Sequence, residues 1–237
     1  MAHRIHLSKD KKLKKLVDAQ PEYTLMRKKN IHLHLCGSII SQQLSTKVAE
    51  VIYKRFLALF NTQKPGIHQI LALPFDTLRS IGLSNAKTNY VHNVCRFFYE
   101  NKITDAKLHK MSDEEFITFI TQIKGIGQWT AEMQLMFTLG REDVFSTGDL
   151  GIQQAMTRLY KLDAGNKKTL QEQMLSIAKY FFNFTPIQKA CIILLLTIII
   201  YACNKVDLTL IGNTPNTTQK ILYNTSWHKC TGNKSNE

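Results

Sequence analysis

The sequence has no Cys-x-x-Cys pair, no four-cysteine cluster spacing and no apolar run long enough to cross a membrane. Its five cysteines, Cys36, Cys95, Cys191, Cys203 and Cys230, are odd in number and far apart. That spacing argues against a zinc site, a redox motif and an iron–sulfur cluster, and reduced, mostly buried thiols are expected. The eight histidines show no ligand spacing, and His32 and His34, two apart, suit one metal on a helix poorly, so no metal site is expected. The longest apolar stretch, Ala190–Cys203, has 14 residues interrupted by Thr197. A bilayer needs ~20, so a buried core helix is expected there. Residues 1–29 lack a continuous apolar core, which argues against a secretory signal. The two Asn-x-Thr/Ser triplets at Asn216 and Asn224 are therefore read as chance. With 11 glycines and five prolines the chain is neither collagen-like nor low-complexity.

Acidic residues are also scarce: 18 against 31 Lys and Arg, a net charge of +13 and a pI near 9.5. A hydrophobic content of 44% over 237 residues is that of a globular chain with a sizeable core, in one large domain or two small ones. Such a basic globular chain points to a polyanion, nucleic acid before an anionic membrane, unless the charge serves solubility alone. Nine Lys/Arg against three acids fall in residues 1–29. The stretch Lys9–Lys15 could lie on phosphates or be a solvated helix face.

The remaining pattern is helical. Apolar positions from Leu33 to Phe60 keep a period near 3.6 and predict one long helix, broken by Pro65-Gly66. A short helix follows from Ile70 to Leu73. Ser84 caps a helix to about Glu100, and Ser112 with Glu115 forms a capping box for the next. Gly125 and Gly127 then precede a helix over about 128–139. Asp149 stands at the start of another that ends near Tyr160, and helices are expected over 168–182 and 187–202. No alternating strands and no solenoid repeat are apparent, and 204–237 reads as a weakly ordered tail.

The segment Ile123-Lys124-Gly125-Ile126-Gly127-Gln128-Trp129-Thr130-Ala131 carries most information. A Gly-x-Gly turn that opens a helix leaves N–H groups at the positive end of its dipole, where a phosphate can approach. Alone, it could equally be a plain helix–helix turn. Asp149 follows Trp129 by 20 residues, after a loop with Phe145 and Gly148. Here the sequence resembles the helix-hairpin-helix DNA glycosylase superfamily, and within it the 3-methyladenine DNA glycosylase II family. Ser38-Ile39-Ile40-Ser41-Gln42-Gln43-Leu44-Ser45 is similar to that family's Ile-x-x-Gln-Gln-x-Ser helix start. Ile81-Gly82-Leu83-Ser84 with Lys87 is similar to its Gly-Leu-Ser-x-x-Lys turn. The resemblance covers roughly residues 30–180.

The resemblance implies an all-α fold, two helical lobes flanking a DNA-binding cleft. One lobe would combine 1–33 with 150–203 and the other would be 34–149. It implies a monofunctional glycosylase that hydrolyses the N-glycosidic bond of alkylated bases such as 3-methyladenine and 7-methylguanine in duplex DNA. Asp149 would be the catalytic carboxylate, stabilising an oxocarbenium-like sugar or activating water; an N-cap is its other reading. Bifunctional branches carry a nucleophilic lysine at the position of Trp129, which tryptophan cannot replace. Trp129 could stack on a cationic alkylated base or pack beneath the hairpin. Tyr53 and Phe137 are candidates for the base pocket or the core. Gly125, Ile126, Gly127 and Thr130 would meet a phosphate, and Ser84 and Lys87 would contact DNA. Gln42, Gln43 and Leu44 would fill the gap left by an extruded nucleotide, with Leu44 or Gln43 as wedge.

No cofactor is expected, although an alkali ion at the hairpin carbonyls is consistent with the resemblance. The partner would be damaged duplex DNA and not a membrane, bound by a monomer. The location would be cytoplasmic (the bacterial nucleoid) or nuclear. After Thr185-Pro186 the family's arginine and aromatics are replaced by Ile187-Gln188-Lys189-Ala190 and an aliphatic run. That abrupt change raises the idea of an altered reading frame from about Ile187. A glycosylase for another lesion, or a non-catalytic hairpin DNA-binding protein, remains open at this level.

Overall fold

The computed structural model describes residue 5, residues 7–18 and residues 25–182. Among them are eleven helices and no strand, so the all-α expectation holds. The expected helix over 187–202, the tail from 204 and the changed segment after Pro186 lie outside the described residues. The chain divides into two compact units. One is continuous, Met26–Gly140; the other joins residues up to Leu25 with those from Arg141 onward. These bounds differ from the 33/34 and 149/150 divisions drawn from sequence.

The continuous unit is built around α2 (Ile31–Ser41), which packs against α3 (Thr46–Ala58) and α6 (Asn85–Glu100). α2 also touches α9 (Gln128–Phe137). It is apolar around most of its circumference, as a central helix must be: Ile31, Leu33, Leu35, Cys36, Ile39 and Ile40 are all buried. Each such aliphatic side chain contributes about 1.5–3 kcal/mol when fully buried. The short helices α4 (Ile67–Leu71) and α5 (Phe75–Ser80) pack on α6, and α8 (Asp113–Ile120) packs on α9. Local chemistry sets many boundaries. Ser45, Ser84 and Thr104 accept N–H groups of Val48, Lys87 and Lys107 to start α3, α6 and α7 (Asp105–Lys110). Ser112 and Glu115 complete their capping box at 3.1 and 2.8 Å.

Two expectations change. The long helix over Leu33–Phe60 is two helices separated by residues 42–45. The break has a physical cause: Gln43 takes a left-handed φ of 56°, and the Ser45 hydroxyl then caps a new helix at 3.3 Å from the Val48 nitrogen. Apolar periodicity runs through both helices and hides this. The helices α5 and α7, six residues each, were not expected.

The second unit contains α1 (Lys11–Asp18), α10 (Leu150–Tyr160) and α11 (Lys167–Phe182). α1 buries Leu13 and Val17. Asp10 caps its first turn through Oδ1, 2.6 Å from the Lys12 nitrogen, and accepts the Tyr160 hydroxyl on Oδ2 at 3.0 Å. Lys12 Nζ lies 4.9 Å from the centre of the Tyr160 ring, so α1 is tied to the end of α10. α10 and α11 pack together.

Candidate functional site

The three motif segments of the continuous unit converge. α2 ends at Ser41, and Gln42 turns its side chain toward the hairpin, where Nε2 donates to the Gly125 carbonyl at 3.1 Å. Asn93 of α6 donates to the adjacent Lys124 carbonyl at 3.4 Å. Gly125 has a φ of +108°, which favours glycine, and the Tyr90 ring covers its α-carbon. Gly127 differs. It is exposed, and nothing lies within 4 Å of where a side chain would point. It starts α9 without a side-chain cap. The positive end of a ten-residue helix therefore begins at an exposed glycine with open space on its Cβ side.

Lys87 has partners within its own unit. Its Nζ donates to the carbonyls of Ile40, at 2.9 Å, and Gln42, both at the end of α2. Those oxygens form the negative pole of the helix, and they draw the ammonium inward. Burial pushes the Lys87 pKa down to about 8. Ser84 is exposed, and its hydroxyl caps α6 by accepting the Lys87 backbone N–H at 3.2 Å.

Gln43 is exposed and Leu44 half-buried, both on the turn beside the hairpin. Ile126 and Thr130 are buried, each at 5% exposure, whereas Trp129 is half-buried in the first turn of α9. Tyr53 is half-buried on α3, 6.1 Å from the Phe56 ring centre, and its ring edge rests on Gly37. Burial, with Cys36 nearby, raises the Tyr53 hydroxyl to about 12. Phe137 is buried at the end of α9.

Asp149 belongs to the second unit. Only 2% of it is exposed. It is the N-cap of α10, and Oδ1 accepts the Ile152 backbone N–H at 2.9 Å. Gly151 leaves room for the carboxylate: a Cβ there would stand 3.0 Å from Oδ1. The preceding loop is held by Gln153, whose Nε2 donates to the Thr147 carbonyl at 2.7 Å. The result is a buried carboxylate with a fixed orientation at the positive end of a helix.

Two features carry little mark in the sequence. Tyr90 reads as an ordinary apolar position of α6, and only the structure sets its ring where a Cβ on residue 125 would stand. Glu132 is 8% exposed, takes Gln128 Nε2 at 2.9 Å, and was detectable as a lone charge within the apolar run Ala131–Phe137. Among the described residues no three His, Cys, Asp or Glu side chains group as a metal site. No described helix is long and apolar enough to cross a membrane.

The family of HhH-GPD superfamily base excision DNA repair proteins matches residues 36–179, which hold the converging motifs and the Asp149 turn. The chain belongs to this superfamily. It is 36% identical over 154 residues to a DNA-3-methyladenine glycosylase 1 of Schizosaccharomyces pombe, covering 64% of this chain and 68% of that one. The chain spans about half the length of the other curated relatives it matches. Among solved structures it is similar to a DNA-3-methyladenine glycosidase of Bacillus halodurans, at 32% identity and a TM-score of 0.66. That likeness covers 84% of this superfamily member and 89% of the other chain. A Schizosaccharomyces pombe 3-methyladenine DNA glycosylase in complex with abasic DNA is 28% identical with a TM-score of 0.68, over 87% of this chain and all of that one.

Proposed function

We propose that the protein is a monofunctional DNA glycosylase of base excision repair that hydrolyses the N-glycosidic bond of alkylated purines, 3-methyladenine and 7-methylguanine, in duplex DNA. The observation that carries this reading is Asp149: a carboxylate 2% exposed, with Oδ1 anchored on the first turn of α10. As the glycosidic bond breaks, positive charge develops on the deoxyribose. A fixed, desolvated carboxylate stabilises that charge, and can take a proton from the attacking water. An alkylated purine already bears positive charge and leaves readily. Trp129 stands in place of a lysine nucleophile, and an indole is a side chain suited to stacking on such a base. The superfamily membership and the names of the relatives support the same reaction.

The open edge at Gly127 suits one backbone phosphate, held by the N–H groups at the start of α9 without reading sequence. Gln43 and Leu44 are candidates to fill the space of the extruded nucleotide. An alkali ion would use the hairpin carbonyls of Ile123, Lys124 and Gly125. Each accepts one N–H, from Ile126, Asn93 and Gln42, and keeps a second lone pair, so the oxygens fit a hard monovalent cation. It would add positive charge beside the phosphate.

The test is abasic-site formation on methylated duplex DNA by the wild type and Asp149→Asn. Release by the wild type that falls at least about a hundredfold in the variant is expected, the usual scale for removing a transition-state charge stabiliser. Equal release by both removes Asp149 from the reaction. Release by neither leaves a DNA-binding protein. Borohydride should trap no covalent complex, and a trapped complex contradicts a monofunctional enzyme.

A further inference from the structure

Lys87 makes a joint that neither the carboxylate nor the hairpin explains. Its ammonium holds the carbonyls of Ile40 and Gln42, 47 and 45 residues away in sequence. Gln42 passes the contact on, its amide donating to Gly125 across 83 residues. Tyr90, one turn along α6 from Lys87, closes the same spot by covering the α-carbon of Gly125. One end of α6 thus holds both the turn with Gln43 and Leu44 and the hairpin with Gly125 and Gly127. The turn needs holding, because the left-handed φ of 56° at Gln43 is not one a glutamine favours on its own.

We propose that Lys87 is a positioning residue, which locks the Gln43–Leu44 turn to the hairpin so that gripping a phosphate and wedging the vacated base site happen in one rigid frame. The wedging half rests on the glycosylase reading above; the mechanical link between the two segments does not.

Two roles for Lys87 make opposite predictions. A lysine on a phosphate adds about 0.9 to the salt slope of duplex binding, and its loss weakens all duplexes alike. A lysine that sets the wedge costs most where extrusion is hardest. Lys87→Met should leave the salt slope unchanged. It should slow single-turnover release from a fully paired lesion by about tenfold or more, as expected for loss of a charge-assisted hydrogen bond. With the lesion opposite a mismatched base, which lowers the cost of extrusion, the defect should shrink to roughly threefold or less. Lys87→Arg, which can still donate to both carbonyls, should recover most of the rate. Gln42→Ala should behave like Lys87→Met, and the double variant should be no worse than the poorer single one. If Lys87→Met does not fold, Gln42→Ala carries the comparison.

A salt slope lowered by about 0.9, with a loss independent of pairing, overturns the proposal and restores a phosphate contact. So does wild-type behaviour of both variants. If the wild type releases no base at all, the glycosylase reading falls, and amide exchange judges the link by itself. Faster exchange in both 42–45 and 123–127 of Lys87→Met supports the link, and a change confined to 42–45 refutes it.

Discussion

The ring of Tyr90 occupies the place of a side chain on residue 125: a Cβ built on Gly125 would lie 2.4 Å from Tyr90 Cγ. The glycine also has a φ of +108°. Two separate physical demands thus require glycine at the same point.

Gly125→Ala should therefore be costly, by about 2–5 kcal/mol, combining an unfavourable backbone conformation with overpacking. Adding Tyr90→Ala should return only the packing part. Urea unfolding of the two variants checks this, and complete recovery in the double variant would show that the backbone conformation costs nothing.

The observed cap of Asp149 and its proposed catalytic role can be separated by choice of substitution. Asparagine caps a helix about as well as aspartate, so Asp149→Asn should keep its thermal stability while losing base release. Asp149→Ala should lose activity and about 0.5–2 kcal/mol of stability as well. Thermal melts run beside the release assay distinguish them.

Asp105 caps a helix to which it does not belong. Its carboxylate oxygens accept the backbone N–H groups of Asn30 at 2.6 Å and Ile31 at 3.1 Å, at the start of α2. Asn30 has a left-handed φ of 59° and no side-chain cap of its own. Asp105→Ala should cost about 1–3 kcal/mol in urea unfolding, because two N–H groups lose an ionised acceptor. Asp105→Asn, which keeps one acceptor oxygen, should cost less.

Acid should weaken the fold through His34. Burial first, then the charge of Lys28, hold its pKa down to about 4, while Asp105 pulls the other way. In the unfolded chain a histidine titrates near 6.5. Between those values the unfolded chain takes up a proton that the folded chain does not, so stability falls as pH drops from about 6.5 toward about 4. Urea midpoints measured from pH 7 to pH 4 should decline, and His34→Asn should flatten the decline. An identical slope in the variant would assign it to other groups.

How much was readable from sequence depended on the kind of signal. Caps are chemistry confined to four residues, so Ser84, Ser112 with Glu115, and Asp149 marked their helices without tertiary help. The break at 42–45 was concealed because Gln42-Gln43-Leu44-Ser45 has neither glycine nor proline and the apolar period continues across it. α5 and α7 are too short to develop periodicity. At the site, Gly125 stood out by residue type. The inward turn of Lys87 did not, since a lysine on a helix start gives no hint whether its partner is a phosphate or a carbonyl.

The two units also differ in how the ribosome delivers them. Met26–Gly140 emerges as one stretch and can pack as soon as its last helix is made. The other unit must wait, because Asp10 finds Tyr160 across 150 residues of chain. At about 5–20 residues per second, α1 spends on the order of ten seconds or more with Leu13 and Val17 unburied. The lysines around them are then a solubilising coat on a nascent arm, before any DNA is met. Lysine-to-neutral changes in 11–15 should accordingly lower soluble yield more than they lower the stability of the finished fold.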